Sequence, residues 1–500
     1  MIFRLPRDTI MTRDLLGELI QKHKDYVAHC SKPLQDAYEN KYEIFDLPKK
    51  PDYKPDNRIA VNYAKYITDT FNGFFIGIPV KVTSEDETVQ EYINTLTDTN
   101  DVDNNNAEIS KLCDISGAAY EMYYNKADAE TGITYLSDLE AFMVVDDSIL
   151  ERPMYFVRYY EDASGTEHGS YSDARIVQHF YRNAGTYVWD GEEHIHGFGY
   201  VPAVEYIANT ERMGLFESAM PAINAYNKAL SEKANDVDYF ADAYLKVLGA
   251  HMDEEDTIHI RANRVINFEG DVDKLPEVEF MVKPSDDASQ EHLLDRLKTD
   301  IFLTSMVANI SDENFAGQAS GVALRYKLEA MSNLFTSKAR RFTSSMRDRY
   351  RIIFSSPVAQ QHGVSKDAWT GIDIKFTANY PANIENEAEV AKNLEGVVSK
   401  ETQLKVLSIV DDIKAEVDKM EQEQLPSVVD NVYGGATSNV GGVVEVQGER
   451  LNGAQTQSLI TIMTQFSAGA LTEGQAIKMI STAIGLDEAE ARRLLNGEVR

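Results

Sequence analysis

Four short stretches of this 500-residue chain carry side chains that could do chemistry. His194-Ile-His196 could set two imidazoles on one side of a strand, which is half of a zinc site. No carboxylate–histidine set stands nearby, so a hairpin edge with two exposed histidines is the expected reading. Asp253, Glu254, Glu255 and Asp256 form an acidic run that could attract a divalent cation. It lacks the ligand spacing of a calcium loop and reads as a solvated acidic loop. Gly197-Phe-Gly199 lacks the third glycine of a dinucleotide fingerprint and leads to a proline instead of a helix. Asn309-Ile-Ser311 matches a glycosylation sequon, which carries no meaning without a secretory signal. No P-loop, G-x-S-x-G, H-E-x-x-H or C-x-x-C pattern occurs. No catalytic residue, metal or cofactor is therefore expected.

Composition narrows the classes further. The net charge is −32 at pH 7 and the isoelectric point about 4.7. Such a balance argues against a protein that coats nucleic acid electrostatically. At 43% hydrophobic residues the chain can bury a core, and its length suggests two to four domains or one elongated multi-module protein. Cys30 and Cys113 read as two reduced thiols of a protein made in a cytosol. No signal peptide is expected at the start. The most apolar run, Phe71 to Val82, is too short and too interrupted to span a bilayer.

The elements read as follows. Leu15, Leu16, Leu19 and Ile20 suggest a helix ending before Lys32-Pro33, and residues 49–56 a prolyl linker. A helix is expected from Asn57, with Ile59, Tyr63, Tyr66 and Ile67 on one face and Asn72-Gly73 as its stop. A strand Val80–Val82 and helices near 87–97 and 105–116 follow. Strands are then expected at Ala119–Tyr124, Phe142–Val145, Met154–Tyr160, Arg175–Tyr181, Tyr187–Trp189 and Val201–Tyr206. Together they make an α+β module with an antiparallel sheet. A long helix begins near Pro221, with a stripe from Ile223 to Leu248, an end at Gly249, and Asn227, Ser231, Asn235, Asp236 and Asp238 on its wet faces. Strands Thr257–Ile260, Arg264–Phe268 and Val278–Val282 would form a small acidic insertion. Near the C-terminus the pattern gives a strand Ile372–Thr377, helices near 384–398 and 400–424, and a glycine-rich linker Gly434–Gly453. Ser399 is a cap candidate, Thr472-Glu-Gly-Gln475 fits a capping box, and Asp487 can cap the last helix.

The chain is organised around Asp286 to Ser356. A helix from about Gln290 to Ile310 and a second from about Val322 to Phe354 flank the segment Ser311, Asp312, Glu313, Asn314, Phe315, Ala316, Gly317, Gln318, Ala319, Ser320, Gly321. Apolar residues recur every three or four positions along the second helix, which predicts a length of roughly 50 Å. Lys338, Arg340, Arg341, Arg347, Arg349 and Arg351 crowd that helix. They fit a face paired with local acids, an interface to an acidic neighbouring subunit, or phosphate contact.

Three stretches resemble the portal, or head–tail connector, proteins of tailed bacteriophages, of the kind found in long-tailed phages of Gram-positive hosts. They are Asn57-Arg-Ile-Ala-Val-Asn-Tyr through Ile78-Pro79, Asn209 through Gly249, and Asp312-Glu-Asn-Phe-Ala-Gly317 with Ser320-Gly-Val-Ala-Leu-Arg-Tyr-Lys-Leu328. The resemblance covers roughly residues 50–380. It implies a portal-type α+β fold with a wing at 1–215 and 322–380. The stem helices would be 216–248 and 288–310, the clip 249–287, the tunnel loop 311–321 and the crown 381–500.

The resemblance further implies a ring, usually of twelve subunits, at one capsid vertex. Double-stranded DNA would pass through it on packaging by the terminase large subunit and on ejection. Partners would be the major capsid and scaffolding proteins and a head-completion adaptor, with no membrane. The clip residues Asp253, Glu254, Glu255, Asp256, Arg261 and Arg264 would meet motor and adaptor, and the basic helix would meet a neighbouring subunit. The expected localisation is the virion, after synthesis in the host bacterial cytoplasm. The alternatives are another capsid-associated structural protein or a metal-dependent nuclease.

Overall fold

A computed structural model describes residues 2–51, 54–127, 130–241, 244–248, 277–281, 287–310, 328–380, 384–407, 471–484 and 487–495, with a few more residues at 326, 409–420 and 461–466. It divides into two units, 1–409 and 410–500.

The first unit opens with strand β1 (Phe3–Leu5) and helix α1 (Arg13–Tyr26). Thr12 caps α1 by accepting a hydrogen bond from the Leu15 amide at 3.2 Å. Leu16, Leu19, Ile20 and His23 form its buried stripe. The expected break at Lys32-Pro33 is absent. A π-turn (Val27–Ser31) carries the chain directly into α2 (Lys32–Tyr38), and Pro33 falls in its first turn, where no amide is needed.

Helix α3 (Tyr63–Ile76) begins six residues later than the sequence suggests, because Asn62 caps it through the Lys65 amide. Ile59 lies outside it, and the helix runs through Asn72-Gly73 to a cap at Gly77. Strand β2 (Lys81–Ser84) and helices α4 (Glu87–Asn100) and α5 (Val102–Ser116) follow.

Strands then dominate: β3 (Ala118–Asn125), β4 (Thr131–Ser137), β5 (Ala141–Asp146), β6 (Pro153–Glu161), β7 (Glu167–Ser172), β8 (Ile176–Asn183), β9 (Thr186–Ile195) and β10 (Ala203–Ile207). They form two sheets, ordered β1-β5-β6-β7-β8-β9 and β10-β3-β4. All neighbours are antiparallel except β1 and β5, so the larger sheet is mixed.

Helix α6 (Met220–Ala241) then leads into strand β11 (Tyr244–Leu248), which pairs antiparallel with β12 (Glu277–Met281). The expected helix to Leu248 therefore stops at Ala241. Tyr-Leu-Lys-Val-Leu suits either period over so short a run, and pairing with distant residues decides for the strand.

Helix α7 (Asp287–Ser305) ends at Met306, whose φ of 58° lies in the left-handed region, so it does not reach Ile310. Helix α8 (Glu329–Phe354) is 26 residues long, about 39 Å at 1.5 Å per residue. It starts after a turn at Leu328, which interrupts the continuous helix of roughly 50 Å that the sequence suggested, and the expected start at Val322 lies outside the described residues. The short α9 (Pro357–Gln361) and strand β13 (Ile372–Lys375), which pairs with β2, complete this part.

Its main core gathers Phe71, Phe75, Phe342, Ile353 and Phe354 from α3 and α8 with Ile109 and Cys113 of α5. A second core lies between α1 and the larger sheet. Helices α10 (Ile384–Asn393) and α11 (Lys400–Leu404) end the unit. Ser399 caps α11 through the Thr402 amide as expected, but a turn follows Leu404, where the sequence suggested helix to 424.

The second unit contains α12 (Glu473–Ile484) and α13 (Glu488–Leu495), packed through Ile477, Ile480, Ala491 and Leu495. The Gln475 side chain accepts from the Thr472 amide at 3.0 Å, half of the expected capping box.

Candidate functional site

The residues of the second resembling stretch meet those of the first in a polar ladder. Asn227, Ser231 and Asn235 recur every four positions on α6 and are buried, not wet as the sequence suggested. Asn227 Oδ1 accepts from the Val61 amide at 2.9 Å, Ser231 Oγ from Ile59 at 2.9 Å, and Asn235 Oδ1 from Asn57 at 2.6 Å. Ser231 Oγ also donates to the Ile59 carbonyl at 3.0 Å.

The match is geometric. Four helical residues advance about 6.0 Å and two extended residues about 6.6 Å. One face of α6 therefore replaces a missing neighbouring strand for 57–61, whose backbone groups would otherwise be unpaired.

Helices α6 and α7 form an antiparallel pair. Asp236 accepts from Gln290 Nε2 at 3.2 Å, and Lys233 is ion-paired with Glu291. Toward the other end Tyr63 of α3 meets Tyr226 and Phe302 edge-on, at 5.2 and 5.7 Å. The antiparallel strands β11 and β12 follow α6 and precede α7 in the chain, at one end of this pair. Past the other end the chain reaches Ile310, whose amide donates to Tyr66 Oη at 2.9 Å.

The basic residues of α8 divide. Lys338 and Arg349 are about 1% exposed and bind acids of their own chain, which corrects their assignment to a subunit interface. Lys338 Nζ donates to Asp114 Oδ2 and Ser110 Oγ, each at 2.7 Å, and stands 4.4 Å from the Phe75 ring centroid. Burial pushes the Asp114 carboxyl up to about 6, against the pull of Lys338.

Arg349 binds Glu121 with both arms of its fork, at 2.8 Å each, and Asn106 Oδ1 at 2.6 Å. Arg351 pairs with Asp348 at 2.9 Å and lies over the Tyr200 ring. Arg340, Arg341 and Arg347 are exposed, and Arg341 donates to Thr210 Oγ1 at 2.6 Å. The buried acids Asp114 and Glu121 escaped the sequence reading because nothing local ties them to residues more than 200 positions away.

The expected channel residues Ser311–Gly321 and the expected clip residues Asp253, Glu254, Glu255, Asp256, Arg261 and Arg264 lie outside the described residues, as do the strands expected at 257–260 and 264–268 and the linker Gly434–Gly453. His194 and His196 do not converge. His194 rests near His179, while both ring nitrogens of His196 are engaged by backbone groups of Asp173 and Phe198. Among the described residues no group of three or more His, Cys, Asp or Glu could hold a metal ion. No described helix is long and apolar enough to cross a membrane.

Comparison with known proteins gives these positions a context. The portal protein of Bacillus phage SPP1 is 24% identical over 451 residues, which span 83% of this chain and 86% of that protein. Two solved structures, the neck of an empty GTA particle computed with C6 symmetry and the neck of a native GTA particle computed with C12 symmetry, have TM-scores of 0.44 and 0.45. Their identities are 9% and 10%, covering 69% and 75% of this chain and 89% and 92% of theirs. The model of the family described as phage portal protein, SPP1 Gp6-like, matches residues 16–425, well over half of the sequence, and the chain belongs to that family.

Proposed function

We propose that copies of this chain form a ring at one vertex of a phage capsid. The ring is the conduit through which a separate terminase motor packages double-stranded DNA and through which the DNA leaves. The observation that carries this reading is the family match over 16–425, together with an antiparallel helix pair that has the paired strands β11 and β12 at one end and leads to 311–321 beyond the other.

In this reading α6 and α7 are the stem, now bounded at 220–241 and 287–305. Strands β11 and β12 with residues 249–276 are the clip, which contacts motor and adaptor through Asp253, Glu254, Glu255, Asp256, Arg261 and Arg264. The two sheets with α1–α5 and α8 are the wing, residues 381–500 the crown, and Ser311–Gly321 the loop that faces DNA. The acidic balance favours passage, because a wall that repels phosphate does not hold it. Of the basic residues on α8, the exposed Arg340, Arg341 and Arg347 remain candidates for contact with a neighbouring subunit.

Imaging of the purified full-length protein tests the assembly. Rings with a central hole, near twelve-fold, are expected. A monodisperse monomer under conditions where the chain is folded would overturn it.

A further inference from the structure

The second face of the larger sheet is filled only in part: Ala141, Met143 and Phe156 pack there with Tyr120, Val201 and Ala203. Tyr155, Val157, Tyr159, Tyr171 and Phe180 pack toward α1. Strand side chains alternate, so the residues between them point the other way. Arg158 on β6, Ser170 on β7 and His179 on β8 are direct cross-strand neighbours on that opposite face. With Ser172, His194 and Tyr124 they line an open cleft of about 550 Å³ between the two sheets, within the usual size range of ligand pockets.

Arg158 gives the cleft its chemistry. Its Nε donates to Ser170 Oγ at 3.1 Å, and its guanidinium carbon lies 5.8 Å from the Tyr160 ring centroid. Among the described residues it makes no ion pair, although the chain has 81 acids against 49 bases. Asp190 stands opposite His179 across the β8–β9 pair but is not ion-paired with Arg158.

His179 adds no firm charge. Burial, and then the nearness of Arg158 and His194, hold the His179 imidazole below its ordinary range. The cleft thus offers one permanent positive charge, hydroxyls and imidazoles. That set balances a singly charged planar anion, whereas a phosphate near −2 would stay half-neutralised. The rim is apolar and open: Ile195 is 76% and Tyr124 41% exposed. A carboxylate carried on a chain with apolar neighbours fits this rim better than a free small acid does.

We propose that the cleft recognises a carboxylate, taking an aspartate or glutamate side chain from an acidic segment of a partner protein, with Arg158 as its anchor. This does not depend on ring assembly. The probe is an unlabelled, acetylated and amidated peptide Gly-Phe-Glu-Gly-Glu-Gly, titrated into the full-length protein with the heat of binding as the readout. A second peptide has glutamine at both glutamate positions, and glutarate serves as the free acid.

Binding of the glutamate peptide is expected to weaken at least about tenfold with the glutamine peptide and with Arg158→Gln. Glutarate is expected to compete only weakly. Equal binding of both peptides, or binding indifferent to Arg158→Gln, overturns the proposal, as does glutarate binding more tightly than the peptide. Should Arg158→Gln not fold, Tyr124→Glu, at a position that lines the same cleft and is 41% exposed, carries the test. A carboxylate built in there is expected to repel the peptide, and a folded variant that still binds it normally overturns the proposal.

Discussion

Arg349 grips Glu121 by two parallel hydrogen bonds of 2.8 Å at a place where neither side chain is more than about 1% exposed. Tyr123 and Tyr206 donate their hydroxyls to the same carboxylate, at 2.7 and 3.2 Å. Helix α8 is thereby locked to β3 across 228 residues of sequence. Removing one partner strands the other charge in the core. Arg349→Met alone, or Glu121→Leu alone, is expected to cost about 3–5 kcal/mol. The double variant is expected to cost much less than the sum, because the stranded charge is gone. Denaturation of the four proteins under identical conditions checks this, and additive losses would refute it. Arg349→Lys is also expected to fail, since an ammonium cannot reproduce the fork.

The ladder from α6 to the extended segment 57–61 sets a second expectation. Ser231→Ala removes both the acceptor for the Ile59 amide and the donor to its carbonyl. Leaving such groups unpaired costs roughly 1–3 kcal/mol. Arg58, within the segment, is held by Asp56 and the Phe45 carbonyl. Cleavage by trypsin after Arg58 is expected to accelerate several-fold in Ser231→Ala and further with Asn227→Ala added. Unchanged cleavage in the double variant would mean that the ladder does not hold the segment.

His23 makes stability depend on pH. It is 3% exposed, with its Nδ1 2.8 Å from Tyr159 Oη, and burial lowers its pKa from 6.5 to about 3. Above pH 6.5 the imidazole is neutral folded or unfolded, and its contribution is fully present. As pH falls below 6.5 the unfolded chain takes up a proton that the folded chain refuses, so stability is lost progressively toward pH 3. Between pH 6.5 and 5 the loss from this group is about 2 kcal/mol. The check is the difference in that slope between the native chain and His23→Gln, and identical slopes would exclude His23 as the cause.

How much of this could be read from the sequence follows from the range of the interactions. Strands β5, β6 and β8 announced themselves by apolar, β-branched and aromatic runs. Strand β7, Glu-His-Gly-Ser-Tyr-Ser, did not, because it sits inside the sheet with one polar face turned to the cleft. The caps at Ser399 and Thr472 were legible because their partners lie three residues away. Asn227, Ser231 and Asn235 looked like a wet helix face, since an amide that replaces a strand has the same composition as one that meets water. Lys338 and Arg349 looked like surface charge for the same reason: burial of a cation is decided by a carboxylate far along the chain.

Residues after Gly434 are expected to be dispensable for assembly. The second unit packs through its own residues, Ile477, Ile480, Ala491 and Leu495, and Gly434–Gly453 is rich in glycine. Truncation after Tyr433 followed by mass measurement is expected to leave the oligomer unchanged. Loss of all oligomer would make this tail part of the ring.

The segment Ser311–Gly321, proposed to face DNA, carries the last expectation. It contains no Lys or Arg, and Asp312 and Glu313 give it two negative charges per copy. Cations in a ring around a sliding duplex would bind phosphates and release counterions, adding a salt-sensitive brake. Carboxylates avoid that, while Asn314 and Gln318 can exchange hydrogen bonds with phosphates or neighbouring loops. Gly317 and Gly321 permit backbone angles that other residues avoid. Phe315 would wedge against the adjacent loop or touch DNA directly. The double variant Asp312→Lys with Glu313→Lys leaves α6, α7 and the wing untouched, so rings are expected to form normally. Packaging in it is expected to slow or stall at low salt and to recover partly as salt rises, because screening weakens the added phosphate contacts. Normal packaging at low salt by intact variant rings would remove this segment from the translocation path.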